Sequence, residues 1–162
     1  HNARFRGKYL GSSVTSAQWS QISTGTFWDL YIGDYWTINS INWRIAAFDY
    51  WLNCGDTNCT THHVVIVPDS NLYNAQMNPL DSNNNNTTVG GYINSAMRKT
   101  NLASAKSTVN SAFGSSHVLS HREYLTNAVT NGYASAGAWD DSTVDLMNER
   151  MVYGNALKTS IY

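Results

Sequence analysis

The sequence predicts an α+β fold: a single compact domain in which an aromatic β-hairpin and a central strand are packed by several short helices. Residues 33–51 carry three of the six Trp, residues 63–67 form a mostly β-branched run, and residues 92–113 have helical spacing. At 162 residues and 18.0 kDa the chain is the size of one domain. We therefore expect one α+β domain over residues 1–162.

The aromatic run is typical of a β-hairpin. Trp36 and Ile38 fall on one face of a strand, and their odd-numbered neighbours fall on the other. Asn39-Ser40 is placed to turn the chain, although Asn-Ser is a weaker turn signal than Asn-Gly. Period-two alternation resumes at Ile41, so a second strand should pair with the first.

Two further elements are predicted in the first half of the chain. A short helix can begin after an N-cap at Thr15 or Ser16 and stop at Gly25. The run at residues 63–67 is typical of a buried central strand and ends at Pro68. Polar loops are expected at residues 53–61 and 78–91.

The second half of the chain is predicted to be mainly helical. Apolar residues spaced by three to five positions across residues 92–113 indicate one or two amphipathic helices, with a break near residue 100. The remaining predictions are a short strand at 117–120, a helix at 121–129, a loop at 131–137 and a helix that is capped by Ser142 or Thr143, runs through Met151 and ends at Gly154.

The composition excludes several classes of function. Charged residues make up only 13% and the net charge is −1, so no strong field attracts nucleic acid or an anionic membrane. No window approaches the ~18 consecutive apolar residues that a membrane helix needs. Asn, Ser and Thr supply most of the polarity, as on many extracellular and virion proteins.

The two cysteines allow three interpretations. Cys54, Cys59, His62 and His63 could offer soft ligands to zinc, but the spacing is not that of a zinc knuckle. Adjacent histidines on a strand also point to opposite faces, so we expect no metal site. A local Cys54–Cys59 disulfide and a pair of reduced thiols both stay open.

Paired carboxylates are the candidate acid/base groups. Asp140 and Asp141, with Asp145 and Glu149 further on, could line one face of a helix. A cluster that favours the N-terminus of that helix explains them better. No nucleophile elbow or phosphate-binding glycine loop is present, so we expect no catalytic residue.

Two histidines four residues apart could share a helix face. His117 and His121 have this spacing, but no Glu follows the first His as in the zinc proteases. We expect a structural use, with Arg122 and Glu123 forming an ion-pair network nearby.

Exposed aromatic rings are the candidate ligand-binding groups. Most of the Trp and Tyr side chains should be buried, because large rings bury the most area. Trp51 and Trp139 each lie at the edge of a polar loop. They are therefore our candidates for stacking against the apolar face of a sugar ring.

Six segments carry a resemblance to a known group of proteins. They are GKYLG at 7–11, DLYIGDYW at 29–36, NWRIAAFDYW at 42–51, TTHHVVIVPD at 60–69, SHVLSHREYLTNAV at 116–129 and STVDLMNERMVYGN at 142–155. In this order they resemble an uncharacterised domain of phage and prophage tail or fibre proteins of gut bacteria. Longer members end in an aromatic region that looks C-type-lectin-like, so the resemblance adds that arrangement as one form of the fold. This chain ends at Tyr162, before such a region, and we expect either a short relative or a fragment of a longer chain.

The expected function is that of a non-enzymatic phage virion protein domain, of tail, fibre or capsid-attached type, in assembly or host-surface attachment. Its expected partners are other virion subunits, in a homo-oligomer, and a host surface glycan. We expect no cofactor, no nucleic acid and no membrane insertion, and a location on the virion or outside the cell. The alternatives are a glycan- or cell-wall-degrading enzyme and a secreted bacterial adhesin or filament subunit.

Overall fold

The computed structural model describes residues 2–79, 82–83, 90–126, 129–130, 133–134, 136–148 and 151–152. It contains both helices and antiparallel sheets, which confirms the α+β class. The helices are α1 (Ser16–Thr24), α2 (Gly91–Asn94) and α3 (Ala103–Phe113), with a π-turn at Met97–Asn101 and a 3₁₀ turn at Ser115–His117. The strands are β1 (Tyr35–Ile38), β2 (Ile41–Phe48), β3 (Val64–Pro68), β4 (His121–Thr126), β5 (Val129–Thr130), β6 (Tyr133–Ala134) and β7 (Gly137–Ser142).

The predicted aromatic hairpin is confirmed. Strands β1 and β2 pair antiparallel with Trp36 opposite Trp43. Asn39 and Ser40 both have positive φ, of 53° and 63°, as the type I′ hairpin turn requires. Both Trp side chains are buried, so the alternation in the sequence correctly assigns their faces.

The run at residues 63–67 forms a strand, but its predicted central and buried position is wrong. The sheet order is β1-β2-β3, so β2 is central and β3 lies at the edge. All five residues of β3 are partly exposed. A β-branched run favours a strand in either position, and Pro68, which has no N–H to donate, fits an edge.

The two edges of this sheet differ. The outer side of β1 is covered by residues 8–11, because Tyr35 N–H donates to the carbonyl of Lys8 and Leu10 N–H to that of Tyr35, at 3.0 and 2.8 Å. Among the described residues, no backbone group bonds to the outer side of β3. This edge therefore stays available for pairing.

Helix α1 has the predicted bounds, and its ends explain why. Thr15 and Gln18 form a reciprocal capping box, in which each side chain accepts from the backbone N–H of the other. Gly25 ends the helix at a φ of 67°. Ile22 is buried on the inner face of the helix.

The main core lies against the buried face of the hairpin. Phe113 of α3 meets the rings of Trp36 and Trp43 edge-on, with centroids 6.5 and 5.6 Å apart. A smaller core forms around Met97, Leu102 and Ala105. Buried aromatic area of this kind is the main driving force for folding. The remaining buried residues of the main core are Ile22, Phe27, Leu30, Ile38 and Ile45.

The helical prediction for residues 92–113 is confirmed, with the π-turn and Leu102 at the predicted break. The predicted helix at 121–129 is wrong, because residues 121–126 form β4 and pair with β7. The predicted strand at 117–120 is also wrong: the 3₁₀ turn ends at His117 and no strand follows before β4. Pairing of large side chains across β4 and β7 overrides the weak local preference for a helix.

The predicted C-terminal helix is wrong over residues 143–148, although Met151 and Val152 at its far end are helical. Residues 143–148 form bends and irregular chain, and the two residues preceding them belong to β7. The predicted loop at 131–137 contains β6 and the first residue of β7. The loop at 78–91 lies largely outside the described residues. No helix of the described ranges is long and apolar enough to cross a membrane.

Candidate functional site

The described residues form a cleft of about 1700 Å³. It is lined by β3, by parts of α1 and α3, and by the segment that leads into β4. Ligand pockets are typically about 300–1,000 Å³, so this cleft has room for a ligand larger than a single sugar.

Two stacked tryptophan–histidine pairs line the cleft. Trp19 stacks on His117 with centroids 4.0 Å apart, and Trp51 stacks on His121 at 4.6 Å. The two histidines therefore do not share one face of a helix, as their spacing allowed. Each has a separate ring partner, which holds the irregular segment between them in place.

The β4–β7 hairpin separates two surfaces, because alternate residues of a strand point to opposite faces. We call the side that carries His121, Glu123, Asp140 and Ser142 the inner face; His121 and Glu123 line the cleft. We call the side that carries Arg122, Tyr124, Asp141 and Trp139 the outer face.

Asp145 is the centre of the polar contacts beside the inner face. His121 Nε2 lies 3.1 Å from Asp145 Oδ2, and the Tyr92 hydroxyl donates to Oδ1 at 2.9 Å. Arg98 Nε lies 3.3 Å from Oδ1, and the same guanidinium pairs with Asp140. Asp145 thus joins α2, the π-turn and β4.

These contacts keep Asp145 ionised. Burial alone would raise the pKa of Asp145, but hydrogen bonds from His121 and Tyr92 and the charge of Arg98 hold it below its usual range. Burial, with the neighbouring Asp145 charge, raises the pKa of the Tyr92 hydroxyl. A charged carboxylate and a neutral phenol at this point can bind a cation or orient a polar ligand.

The outer face carries an exposed aromatic pair. Tyr124 is 52% exposed and Trp139 is 38% exposed, and their rings meet edge-to-face with centroids 5.4 Å apart. Gly137 lies under the Tyr124 ring: a Cβ there would come within 2.7 Å of it. The Gly137 N–H donates to the Tyr124 hydroxyl at 3.2 Å, so the ring is held flat on the hairpin.

Charged groups flank this aromatic pair. Arg122 binds both oxygens of Asp56, from the polar loop at 53–61, and donates to Asp141 Oδ2 at 3.0 Å. Hydrogen bonds to these carboxylates raise the pKa of Arg122, and those from Arg122 lower the pKa of Asp56. The ion pairs attach the loop to the outer face.

The structure separates the two predicted sugar-binding tryptophans. Trp139 lies on the outer face, as an exposed member of the aromatic pair. Trp51 lines the cleft, where His121 covers one face of its ring and Tyr50 meets it edge-on. The two side chains therefore do not form one platform, and Trp139 is the better placed for stacking.

The cysteines and the adjacent histidines do not converge. Cys54 and Cys59 are free thiols whose sulfurs contact different carbonyls, so the disulfide stays a prediction. His62 Nδ1 contacts Asp49 at 2.8 Å. Both ring nitrogens of the buried His63 are occupied, because Nδ1 donates to Thr61 O and Nε2 accepts from Trp51 N–H. These four candidate zinc ligands therefore do not form a site.

The paired carboxylates do not face each other. Asp140 and Asp141 are consecutive residues of β7, so they point to opposite faces of the hairpin, where they pair with Arg98 and Arg122 respectively. Glu149 lies outside the described residues. The expected cluster at a helix N-terminus is therefore wrong for Asp140 and Asp141, because they belong to a strand, and the alternative of an acid/base pair on one helix face fails for the same reason.

A different set of potential ligands comes together in the cleft. Donor atoms of His121, Glu123 and Asp145 lie within 4.8 Å of one another, and no other such group of three is found among the described residues. The sequence contains a signal for this set, the i, i+2 spacing of His and Glu. It is visible only if residues 121–126 are taken as a strand.

Comparisons with known proteins identify no relative of this chain. No protein-family model, no curated protein and no solved structure matches the chain.

Proposed function

We propose that the chain is a non-enzymatic domain of a phage virion protein, of tail or fibre type, that attaches to a host surface glycan through its outer face. It acts on the virion, outside the cell, and in a homo-oligomer. The observation that carries the proposal is the exposed Tyr124–Trp139 pair between flanking carboxylates.

The aromatic pair has the form that a sugar ring needs. The apolar face of a pyranose packs against an indole or phenol ring, and buried contact of this kind contributes in proportion to apolar area. The Tyr124 ring is held over Gly137, so little conformational entropy is lost on binding. Rigid, exposed aromatic anchors are also the residues that dominate recognition interfaces.

The flanking charges indicate which sugars fit. Asp56 and Asp141 bring two negative charges and Arg122 brings one positive charge, so the outer face is negative overall. Carboxylate oxygens accept hydrogen bonds from sugar hydroxyls, whereas a sugar acid would meet like charge. We therefore expect neutral hexose polymers to bind better than acidic ones.

The resemblance of the six segments to phage tail and fibre proteins supports a virion location, as does the weakly charged surface. We extend the proposal to the fold and infer that it is C-type-lectin-like. Two of its helices, α1 and α3, accompany small separate antiparallel sheets, which is compatible with that arrangement.

Binding to intact bacteria tests this function. Fluorescently labelled protein is titrated onto a panel of gut bacterial strains, and the neutral surface polysaccharide purified from a strain that binds is used as a competitor. We expect Trp139→Ala to weaken binding at least about tenfold, as for a central aromatic contact.

The matched control is Trp28→Ala. Trp28 is 69% exposed and lies in the loop after α1, outside the outer face, so its removal should leave binding unchanged. Equal binding by wild type and Trp139→Ala, or equal losses in both variants, would contradict the role of the outer face.

Assembly is the second candidate function, and the outer edge of β3 favours it. This edge has no backbone partner among the described residues, and an edge strand of β-branched residues is a template for pairing with another chain. A contact through β3 would join virion subunits into one continuous sheet.

A further inference from the structure

We propose that His121, Glu123 and Asp145 bind a divalent transition-metal ion on the wall of the cleft. This site lies behind the hairpin from the outer face and uses none of the residues assigned to glycan attachment. Its existence therefore does not depend on the proposed function.

Strand geometry brings the three ligands together. His121 and Glu123 are separated by one residue on β4, so they point to the same side of the strand. Asp145 approaches them from the segment that follows β7, and His121 Nε2 already lies 3.1 Å from its Oδ2. The ligand atoms lie within 4.8 Å of one another. Metal–ligand bonds of about 2.0–2.2 Å need separations below about 4.4 Å, so binding an ion requires the ligands to close by a few tenths of an ångström at most.

Neighbouring residues orient each ligand. Trp51 stacks on the His121 ring with an interplanar angle of 16°, which fixes the direction of Nε2. Tyr92 donates to Asp145 Oδ1 at 2.9 Å, and Asn148 Nδ2 donates to Glu123 Oε1 at 3.0 Å. Metal ligands in proteins are generally held by such outer contacts, which set their direction and basicity.

The charges at the site favour a cation. Glu123, Asp140 and Asp145 bring three negative charges, and Arg98 brings one positive charge. The side chains of His121 and Asp145 are only 12% and 11% exposed, so solvent screens this excess poorly. Arg98 pairs with Asp140, and a divalent ion would balance the two remaining carboxylates. Arg98 and Tyr92 contact Oδ1 of Asp145, whereas Oδ2 faces His121, so the ion can bind Oδ2 while the guanidinium keeps its contact with Oδ1.

The ligand set and its position select the kind of ion. One imidazole and two carboxylates suit Zn²⁺ or Mn²⁺, whereas Ca²⁺ prefers a set made of oxygen alone. All three side chains line the cleft, so the remaining coordination positions face a space that can hold water or a ligand.

Titration of the full chain with Zn²⁺ and Mn²⁺ tests the site. After treatment with a chelator, isothermal titration calorimetry should show one Zn²⁺ bound per chain, and Mn²⁺ should lose its free-ion electron paramagnetic resonance signal with the same stoichiometry. Glu123→Gln keeps the shape of the side chain and its contact with Asn148. We expect it to weaken binding at least about tenfold, because removal of supporting contacts alone typically costs that much.

Two matched variants exclude other ligands. His117→Ala removes a histidine that also lines the cleft but lies outside the set, and it should bind like wild type. Cys54→Ser with Cys59→Ser removes both thiols and should also leave Zn²⁺ binding intact. Circular dichroism confirms that each variant is folded.

The proposal is overturned if wild type binds no ion, if Glu123→Gln binds as tightly as wild type, or if loss of the thiols abolishes binding. Trp139→Ala should keep full metal binding. A chain that binds metal but not cells, or cells but not metal, would therefore separate this inference from the proposed function.

Discussion

Asp34 shows how strongly a single buried charge organises the N-terminal half. Its side chain is fully buried and accepts from Arg6 Nε at 3.1 Å and from the backbone N–H groups of Lys8 and Tyr31 at 2.9 and 3.0 Å. Arg6 Nη2 completes a two-pronged ion pair at 2.5 Å. The segment before β1 is thereby attached to the turn that begins the hairpin.

Arg6→Ala should therefore be strongly destabilising, because it leaves the Asp34 charge buried without its ion-pair partner. We expect the free energy of unfolding to fall by about 3 kcal/mol in urea denaturation. Arg122→Ala is the control, since the partners of Arg122 are exposed carboxylates, and it should cost much less. If the free energy of unfolding fell by a similar amount in both variants, the burial of Asp34 would not explain the effect of Arg6→Ala.

For individual residues, the sequence predicted which side of a strand is buried where apolar and polar residues alternate clearly. Trp36 and Ile38 lie on the buried face that their alternation indicates. The shared face of His121 and Glu123 was not predicted, because residues 121–129 were expected to form a helix. In a helix, positions i and i+2 point about 200° apart, whereas in a strand they point to the same side. Because a helical period was assigned to this strand, the candidate metal ligands were not recognised in the sequence.

At the scale of elements, the sequence predicted those helices and strands whose ends are marked by capping or turn residues. Helix α1 has both its capping box and its terminal glycine in the sequence, and the first hairpin has its alternation and a short turn. Strand β4 has neither: its partner β7 lies beyond a segment of ten residues, and the pair is stabilised by contacts such as Tyr124 with Trp139. Such contacts are tertiary, so local propensity did not reveal them.

The ion pair between β2 and the end of β3 predicts how stability depends on pH. Arg44 donates from Nε and Nη2 to the two oxygens of Asp69, at 2.7 and 2.6 Å. These bonds hold the pKa of the Asp69 carboxyl below its usual range, although burial acts in the opposite sense. The same direction holds for Asp29 beside Arg6.

Because the folded pKa of Asp69 is below the unfolded value of about 3.9, the folded chain binds fewer protons. The stabilisation should be fully present above about pH 4 and lost as the pH falls through the folded pKa. Urea unfolding between pH 2 and pH 6 measures this loss. Asp69→Asn should have a shallower loss than wild type, and identical pH profiles would contradict a role for this pair.

At the scale of the whole molecule, the class of fold could be predicted but the arrangement of its parts could not. Composition and periodicity indicate one α+β domain, whereas the edge position of β3 and the cleft beside it depend on which elements pack together. The candidate sites also depend on how the elements pack together. Trp139 could be selected because it adjoins a polar loop, but its partner Tyr124 and its flanking charges come from distant parts of the sequence.

The most direct test of the central claim is the position of this chain on phage particles. Particles produced by bacteria that carry this coding sequence are labelled with an antibody to the chain and examined by electron microscopy. We expect label at the distal ends of tails or fibres, where a surface that binds host glycans must lie. Label at the capsid or collar would contradict attachment and favour assembly, and particles without any label would contradict the virion proposal itself.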